Sequence, residues 1–252
     1  MNEPASPPKE LSKEILPPPG ILTELGSKLG KRLFYRFLRL SSRMIASVAF
    51  GFRTEGRENL ELQGGGILLS THQSMMDPVL IGMIANRRLN YLARKTLFKN
   101  FAFGFIIRVL DAIEIDREKG GLAGLREMLK RLQQGELVLL FPEGTRTENG
   151  AIGLLKPGFI PVARRSKVPI IPMAIVGAYD CLPRGAKLPF RKPIAVVVGE
   201  AIPSSIYQDL SDEEMIASLA VRLGSLHDRA KELIGANRID ASQIQKNLTN
   251  RN

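Results

Sequence analysis

From residue 21 to 52 apolar side chains recur every three or four positions: Leu22, Leu25, Leu29, Leu33, Phe37, Leu40, Met44 and Val48. Lys28, Arg32, Arg36, Arg39 and Arg43 form a basic stripe beside them. The spacing predicts a basic amphipathic helical element, with Gly26, Gly30 and Gly51 as points where it breaks. Past Gly64-Gly65-Gly66 the pattern changes to short apolar runs alternating with helical periods. Gly66–Leu69 reads as a buried strand, Pro78–Ala85 as a helix, Leu89–Ala93 as a strand, and Ala112–Arg117 as a short strand that delivers Arg117 to its end. Gly120–Gln134 carries Leu122, Leu125, Met128, Leu129 and Leu132 on one helical face, and Leu137–Phe141 is the cleanest buried strand. Leu154–Phe159 reads as a turn, Ile160–Arg165 as a helix, Val168–Val176 and Pro193–Val198 as strands, and Asp212–Ile234 as a long amphipathic helix. Pro169 and Pro172 suit a strand start and an edge or bulge better than a sheet centre. Strands alternating with helices predict an α/β fold, a mixed sheet flanked by helices, with ligands taken at the strand ends.

The 252 residues suffice for one sizeable core and little more than terminal additions. Residues 1–20, rich in proline and charge, read as a flexible leader, residues 21–53 as the basic helical element, 54–236 as the folded domain and 237–252 as a polar tail. Cys181 stands alone, which excludes an internal disulfide framework, and two histidines, His72 and His227, argue against a multi-histidine metal site. No apolar run reaches the roughly 18 residues of a spanning helix. The start, with its acids and prolines, does not read as a signal peptide, so a cytoplasmic protein is expected. The formal charge of +11 calls for an anionic partner. Aromatic residues are 6% and tryptophan is absent, so base stacking is disfavoured and no nucleic-acid partner is expected. A phosphate-bearing substrate and a membrane surface are the better candidates, with the basic helical element at the lipid headgroups.

The stretch Ser70-Thr71-His72-Gln73-Ser74-Met75-Met76-Asp77-Pro78 carries the clearest candidate chemistry. His72 falls at the end of a predicted strand and Asp77 at the start of the next helix, where it reads as the cap before Pro78. Across that turn the carboxylate can fix one imidazole nitrogen and leave the other free as a base. Taken alone, the two could equally be a structural histidine and an ordinary cap. Three further blocks follow in order: Ile115-Asp116-Arg117, Phe141-Pro142-Glu143-Gly144-Thr145-Arg146, and Val168-Pro169-Ile170-Ile171-Pro172.

The four blocks in this order resemble the glycerophospholipid acyltransferase family, in particular its bacterial 1-acylglycerol-3-phosphate acyltransferases. The resemblance runs from about Gly64 to Ile202. It implies an acyltransferase-type sandwich in which His72 is the general base and Asp77 its orienter. It also implies a fatty acyl transfer to the hydroxyl of a 1-acylglycerol 3-phosphate, from acyl-CoA or acyl-carrier protein, with no other cofactor and no metal. The enzyme would lie peripherally on the inner face of the plasma membrane. Arg117 and Arg146 are apt for the acceptor's phosphate, because guanidinium binds phosphate through paired hydrogen bonds. Glu143, Gly144 and Thr145 look like acceptor-positioning residues, and Lys95 is a further candidate phosphate contact. Other lysolipid acceptors, or a non-enzymatic lipid-binding protein on the same scaffold, remain alternatives. No G-x-S-x-G elbow and no Walker loop occur, which disfavours a serine hydrolase and a nucleotide hydrolase. Neither Cys181 nor His227 is read as catalytic.

Overall fold

A computed structural model describes residues 40, 41, 44, 48–87, 89–94, 112–115, 122–186 and 188–236. The chain divides into two compact units, residues 1–40 and 41–252, and the fold below is that of the second. The apolar stripe of residues 21–52 therefore falls largely outside the described residues. Leu40, Met44 and Val48 are described, and all three are exposed.

Seven strands form one sheet in the order β1-β7-β6-β2-β5-β3-β4. They are β1 Arg53–Glu55, β2 Gly66–Ser70, β3 Leu89–Arg94, β4 Ala112–Ile115, β5 Leu137–Leu140, β6 Ile170–Val176 and β7 Ala195–Val198. The helices are α1 Asp77–Ile84, α2 Leu122–Gln133, α3 Ile160–Ser166, α4 Ala178–Cys181, α5 Ser204–Tyr207 and α6 Asp212–Ile234. β6, β2, β5, β3 and β4 run parallel, β7 is antiparallel to β6, and β1 is parallel to β7. The sheet is mixed, as the alternation of strands and helices predicts. None of the described helices is long and apolar enough to cross a membrane.

Burial on both faces explains the unbroken apolar runs in β2 and β5, whose residues are all buried. On one face Leu68, Leu137, Leu139, Ile171 and Met173 pack with Leu80, Ile81 and Ile84 of α1. On the other, Ile67, Leu69, Val138 and Ile170 meet Met128 and Leu132 of α2, Ile160 and Ala163 of α3, and Met215, Leu219 and Leu223 of α6. The side-chain period of two along each strand thus sorts neighbours onto opposite layers. α6 begins at a capping box, in which Ser211 accepts from the Glu214 N–H and Glu214 from the Ser211 N–H, and ends at Gly235 in the left-handed conformation.

One sequence expectation is sharpened and one element was missed. β6 is an interior strand, not an edge, but it starts just after Pro169, and Pro172 falls at a bulge, where pairing passes from Met173–Val198 to Ile170–Ile202 with one extra residue on the far side. Pro169 and Met173 accept from the amides of Ile67 in β2 and of Thr71 just past it, so alternate residues, Pro172 among them, turn toward β7. There the β7 ladder stops at the Met173–Val198 pair, and the next bond is the Gly199 N–H donated to the Pro172 carbonyl. The proline sits where no donor is demanded of it. The three-residue β1 was missed because Arg53-Thr54-Glu55 is too short and too polar to signal a strand.

Gly177 links β6 to α4 at φ +87°, where a Cβ would fall 2.1 Å from the Pro193 carbonyl oxygen. Gly177→Ala should therefore lower unfolding free energy by about 2 kcal/mol or more, since left-handed strain and the backbone clash add. Gly224, inside α6 with open space around it, should behave oppositely. Gly224→Ala is expected to raise stability by up to about 1 kcal/mol. Urea denaturation of both variants checks the pair of signs.

Candidate active site

β2 and β5 are neighbours with Leu69 opposite Leu140, so the residues leaving their carboxyl ends emerge side by side. His72, two residues past β2, stacks on Phe141, the first residue past β5, with ring centroids 3.8 Å apart and planes 16° from parallel. The aromatic face fixes the imidazole plane. Its Nδ1 lies 2.9 Å from Asp77 Oδ2. Because a carboxylate oxygen only accepts, Nδ1 carries the proton and Nε2 keeps a bare lone pair. Among the described residues nothing bonds Nε2, and the His72 side chain retains 18% exposure.

Asp77 does not cap α1. It is the first residue of that helix, the preceding Met76 makes no side-chain cap bond, and its carboxylate turns back over the loop. Oδ2 accepts the Gln73 N–H at 2.6 Å and the Ser74 N–H at 2.8 Å as well as the His72 proton. Oδ1 is buried and has no hydrogen-bond partner among the described residues. Burial pushes the Asp77 carboxyl above its ordinary value, with the His72 bond and charge and the two backbone donors pulling the other way.

Glu143 is buried too, and both of its oxygens are engaged. Oε1 accepts the His72 N–H at 2.8 Å, and Oε2 the Gly153 N–H at 2.7 Å. Gly153 has to be a glycine for this, since a Cβ there would come within 2.9 Å of Oε2. Burial raises the Glu143 carboxyl, and the Gly153 and His72 donors oppose it. Little of this carboxylate faces solvent, so the geometry makes Glu143 a positioning residue for the His72 backbone. The Thr147 N–H closes the same turn on the His72 carbonyl at 2.8 Å.

The rest of the block forms the rim. Gly144 takes φ +68° beside the Lys156 side chain, whose backbone N–H bonds the Pro142 carbonyl. Thr145 is exposed and accepts from Arg184 Nη2 at 3.3 Å, and Arg184 also meets Glu148. Arg146 is half-buried, with no hydrogen bond or ion pair among the described residues. Lys95 and Arg117 lie outside the described residues, so the structure brings His72, Asp77, Glu143, Gly144, Thr145 and Arg146 together and leaves those two unplaced. Among the described residues no three His, Cys, Asp or Glu side chains converge as a metal-ligand set.

Sequence reasoning missed several contributors. Gln73 donates to the Gly150 carbonyl at 2.7 Å and accepts from the Tyr179 N–H at 3.3 Å, and His227 reaches the same Gly150 carbonyl at 3.3 Å. Gln73 could have been suspected from its place beside His72. Gly153, Lys156 and Arg184 carry no local signal, because their roles exist only once loops from different strands meet.

The sequence pattern of the Acyltransferase family matches residues 51–176. A 1-acyl-sn-glycerol-3-phosphate acyltransferase of Bacillus subtilis is 30% identical over 201 residues, covering 79% of this chain and 96% of that protein. One of Pseudomonas aeruginosa is 31% identical over 171 residues, or 66% of this chain and 64% of its own. The crystal structure of the 1-acyl-sn-glycerophosphate acyltransferase of Thermotoga maritima superposes with a TM-score of 0.69 at 22% identity, covering 82% of both chains, and shares the fold. With its strand-end histidine paired to a buried carboxylate and half its length matching the family pattern, this chain belongs to the acyltransferase family and is an O-acyltransferase.

Proposed function

We propose that the chain transfers a fatty acyl group from a thioester donor, acyl-CoA or acyl-carrier protein, to the free hydroxyl of a 1-acylglycerol 3-phosphate, giving phosphatidic acid. The observation that carries this reading is His72, its Nδ1–H held by Asp77 and its Nε2 unbonded among the described residues at the strand ends. Nε2 takes the hydroxyl proton as the oxygen attacks the thioester carbonyl. The carbonyl π electrons move onto oxygen, the carbon–sulfur bond breaks as they return, and the departing thiolate takes the proton back from the imidazolium. The buried Asp77 carboxylate favours that imidazolium while it exists. Each step needs only this chain's residues and the two substrates.

Arg146, half-buried next to Thr145 and without a hydrogen bond or ion pair among the described residues, is suited to the acceptor's phosphate, and Arg117 is assigned the same role by its place in the sequence. The names of the relatives in Bacillus subtilis and Pseudomonas aeruginosa support the acceptor class. The exposed Met44 and Val48 support contact with a membrane surface, which we assign to the inner face of the plasma membrane, because a core-packed segment would bury them. Thiol release across a panel of lysolipid acceptors, with acyl-CoA and acyl-carrier protein as donors, tests the reaction. No release with any phosphate-bearing acceptor would overturn it.

His72→Ala should cut acyl transfer by roughly 10²–10⁴-fold, the range expected for a general base. Its melting temperature should fall modestly, because the Phe141 stacking and one of the three donors to Asp77 are lost, while the Gln73 and Ser74 amides still hold the turn and circular dichroism should show the parent fold.

Asp77→Asn should retain the fold but lose most of the rate, since an amide cannot stabilise the imidazolium. Its stability carries a sign of its own. Burial raises the Asp77 carboxyl, so the folded state holds that proton more tightly than the unfolded chain. The corresponding stability is fully present below the ordinary carboxyl value and is lost as pH rises through the raised one. Relative to the parent, Asp77→Asn should be most favoured near neutral pH and less so as pH falls toward about 4. Calorimetry at several pH values reads this, and the reverse trend would mean that the carboxylate's hydrogen bonds outweigh its desolvation.

Arg146→Ala should raise the acceptor KM about tenfold or more while leaving the donor KM unchanged, the scale of a lost charged hydrogen bond. Lysine should restore part of the loss, because it lacks paired donors. Kinetics varying the two substrates separately decide this, and a change confined to the donor would reassign Arg146.

A further inference from the structure

We infer that the loop from Leu182 to Pro193 is a second lipid-contact element, one that seats Leu188 and Phe190 in an anionic bilayer surface beside the active site. The inference rests on the lipid acceptor proposed above. The loop is held on several sides. Its first residue, Leu182, accepts through its carbonyl from Ser74 Oγ at 3.0 Å, two residues from His72. Arg184 reaches Thr145 on the rim. At the far side the Phe190 N–H donates to the Cys181 carbonyl at 2.6 Å, and the buried Cys181 thiol donates to the Phe190 carbonyl at 3.0 Å.

That double clamp fixes the backbone of Phe190 against the core, yet the residue is 57% exposed, and Leu188 is 77% exposed. Two large apolar side chains on an anchored backbone, both facing out, call for an apolar phase to receive them. Composition names that phase. Between Leu182 and Pro193 stand Arg184, Lys187, Arg191 and Lys192 and no acid. Apolar tips flanked by cations match an anionic lipid surface, in which rings and aliphatic chains enter below the headgroups and the cations stay among the phosphates.

Topology sets the direction. β7 pairs antiparallel with β6, Ala195 opposite Val176, so the loop leading into β7 lies at the carboxyl end of β6, on the side of the sheet from which His72 emerges. β1 runs parallel to β7, which puts residues 48–52 at that end as well, and Arg191 Nη2 donates to the Val48 carbonyl at 3.2 Å. Val48 is itself exposed. Pro183, Pro189 and Pro193 restrict the unfolded loop, so less entropy is lost in presenting it.

The test uses the full chain with Leu188→Ser and Phe190→Ser combined, and separately Arg191→Gln with Lys192→Gln. Binding is measured by co-sedimentation with vesicles of phosphatidylcholine containing phosphatidylglycerol, and with phosphatidylcholine alone. The apolar pair should bind mixed vesicles at least about tenfold more weakly, the scale of two side chains no longer leaving water. The basic pair should lose its preference for the anionic vesicles. In both, melting temperature and turnover of a water-soluble short-chain acceptor should stay near the parent, while turnover of a bilayer-embedded acceptor falls. Unchanged vesicle binding by the apolar pair overturns the inference. So does a loss seen only when the donor is a carrier protein, which would give the surface to that donor. If the parent binds the vesicles through this loop but transfers no acyl group to either acceptor, the lipid-contact element stands and the proposed reaction falls.

Discussion

Two carboxylates buried next to His72 impose the order on which the site depends. A buried charge is tolerated only if donors converge on it, and Asp77 and Glu143 recruit theirs from backbone amides. Asp77 gathers the N–H groups of Gln73 and Ser74 together with the His72 ring, and Glu143 gathers those of His72 and Gly153. The demand for donors bends the chain into the turn, and the turn aims the imidazole. Neither contact tolerates much displacement, because a lost bond leaves a carboxylate stranded in the interior. The histidine is thereby held without a substrate, which reduces the reorganisation needed at reaction.

The sheet explains why these loops meet at all. β2 and β5 are adjacent, parallel and centrally placed, so the segments carrying His72 and Glu143 leave the same end a strand spacing apart. Two reversed strands, β7 and β1, then return the chain so that the segments entering them lie at that end too. Catalytic geometry and the exposed apolar side chains Val48, Leu188 and Phe190 are thus collected on one side of the sheet. The proposed bilayer-embedded acceptor would give reason for both to lie on the same side.

How much of this the sequence discloses depends on the range of the interaction. Apolar period and length sufficed for β2, β5, α2, α3 and α6, each within a residue or two of expectation, because burial on the sheet faces enforces those patterns locally. The His72–Asp77 pair was legible because five residues and one turn separate its members. What Asp77 does in detail was not, since an aspartate before a proline reads as a forward cap, and only the folded turn shows the carboxylate reaching backward. Pro172 was read as an edge or a bulge, and the sequence could not choose between them, because where the neighbouring ladder shifts register is set by a strand far along the chain. Glu143 was found through its motif, but its bonds to the His72 and Gly153 amides were not foreseen. Its partner Gly153, ten residues on, has no pattern of its own.

The Gly150 carbonyl extends the same logic beyond the motifs. It accepts from Gln73, in the His72 turn, and lies within reach of His227 Nε2, on α6. His227 is buried on the apolar face of α6 with Leu223 and Ala230, and burial, with the Lys231 charge adding to it, holds its pKa below the ordinary histidine value. A neutral imidazole in that place can donate to a carbonyl without bringing charge into the core. The loop fixed at Gly150 then delivers the Gly153 N–H to Glu143, and Glu143 holds the His72 backbone. The carboxyl-terminal helix, distant in sequence from every recognisable block, is therefore linked to the catalytic turn through hydrogen bonds that end mostly on main-chain atoms. Such contacts depend on main-chain atoms, so they tolerate exchange of side chains while keeping the geometry of the turn.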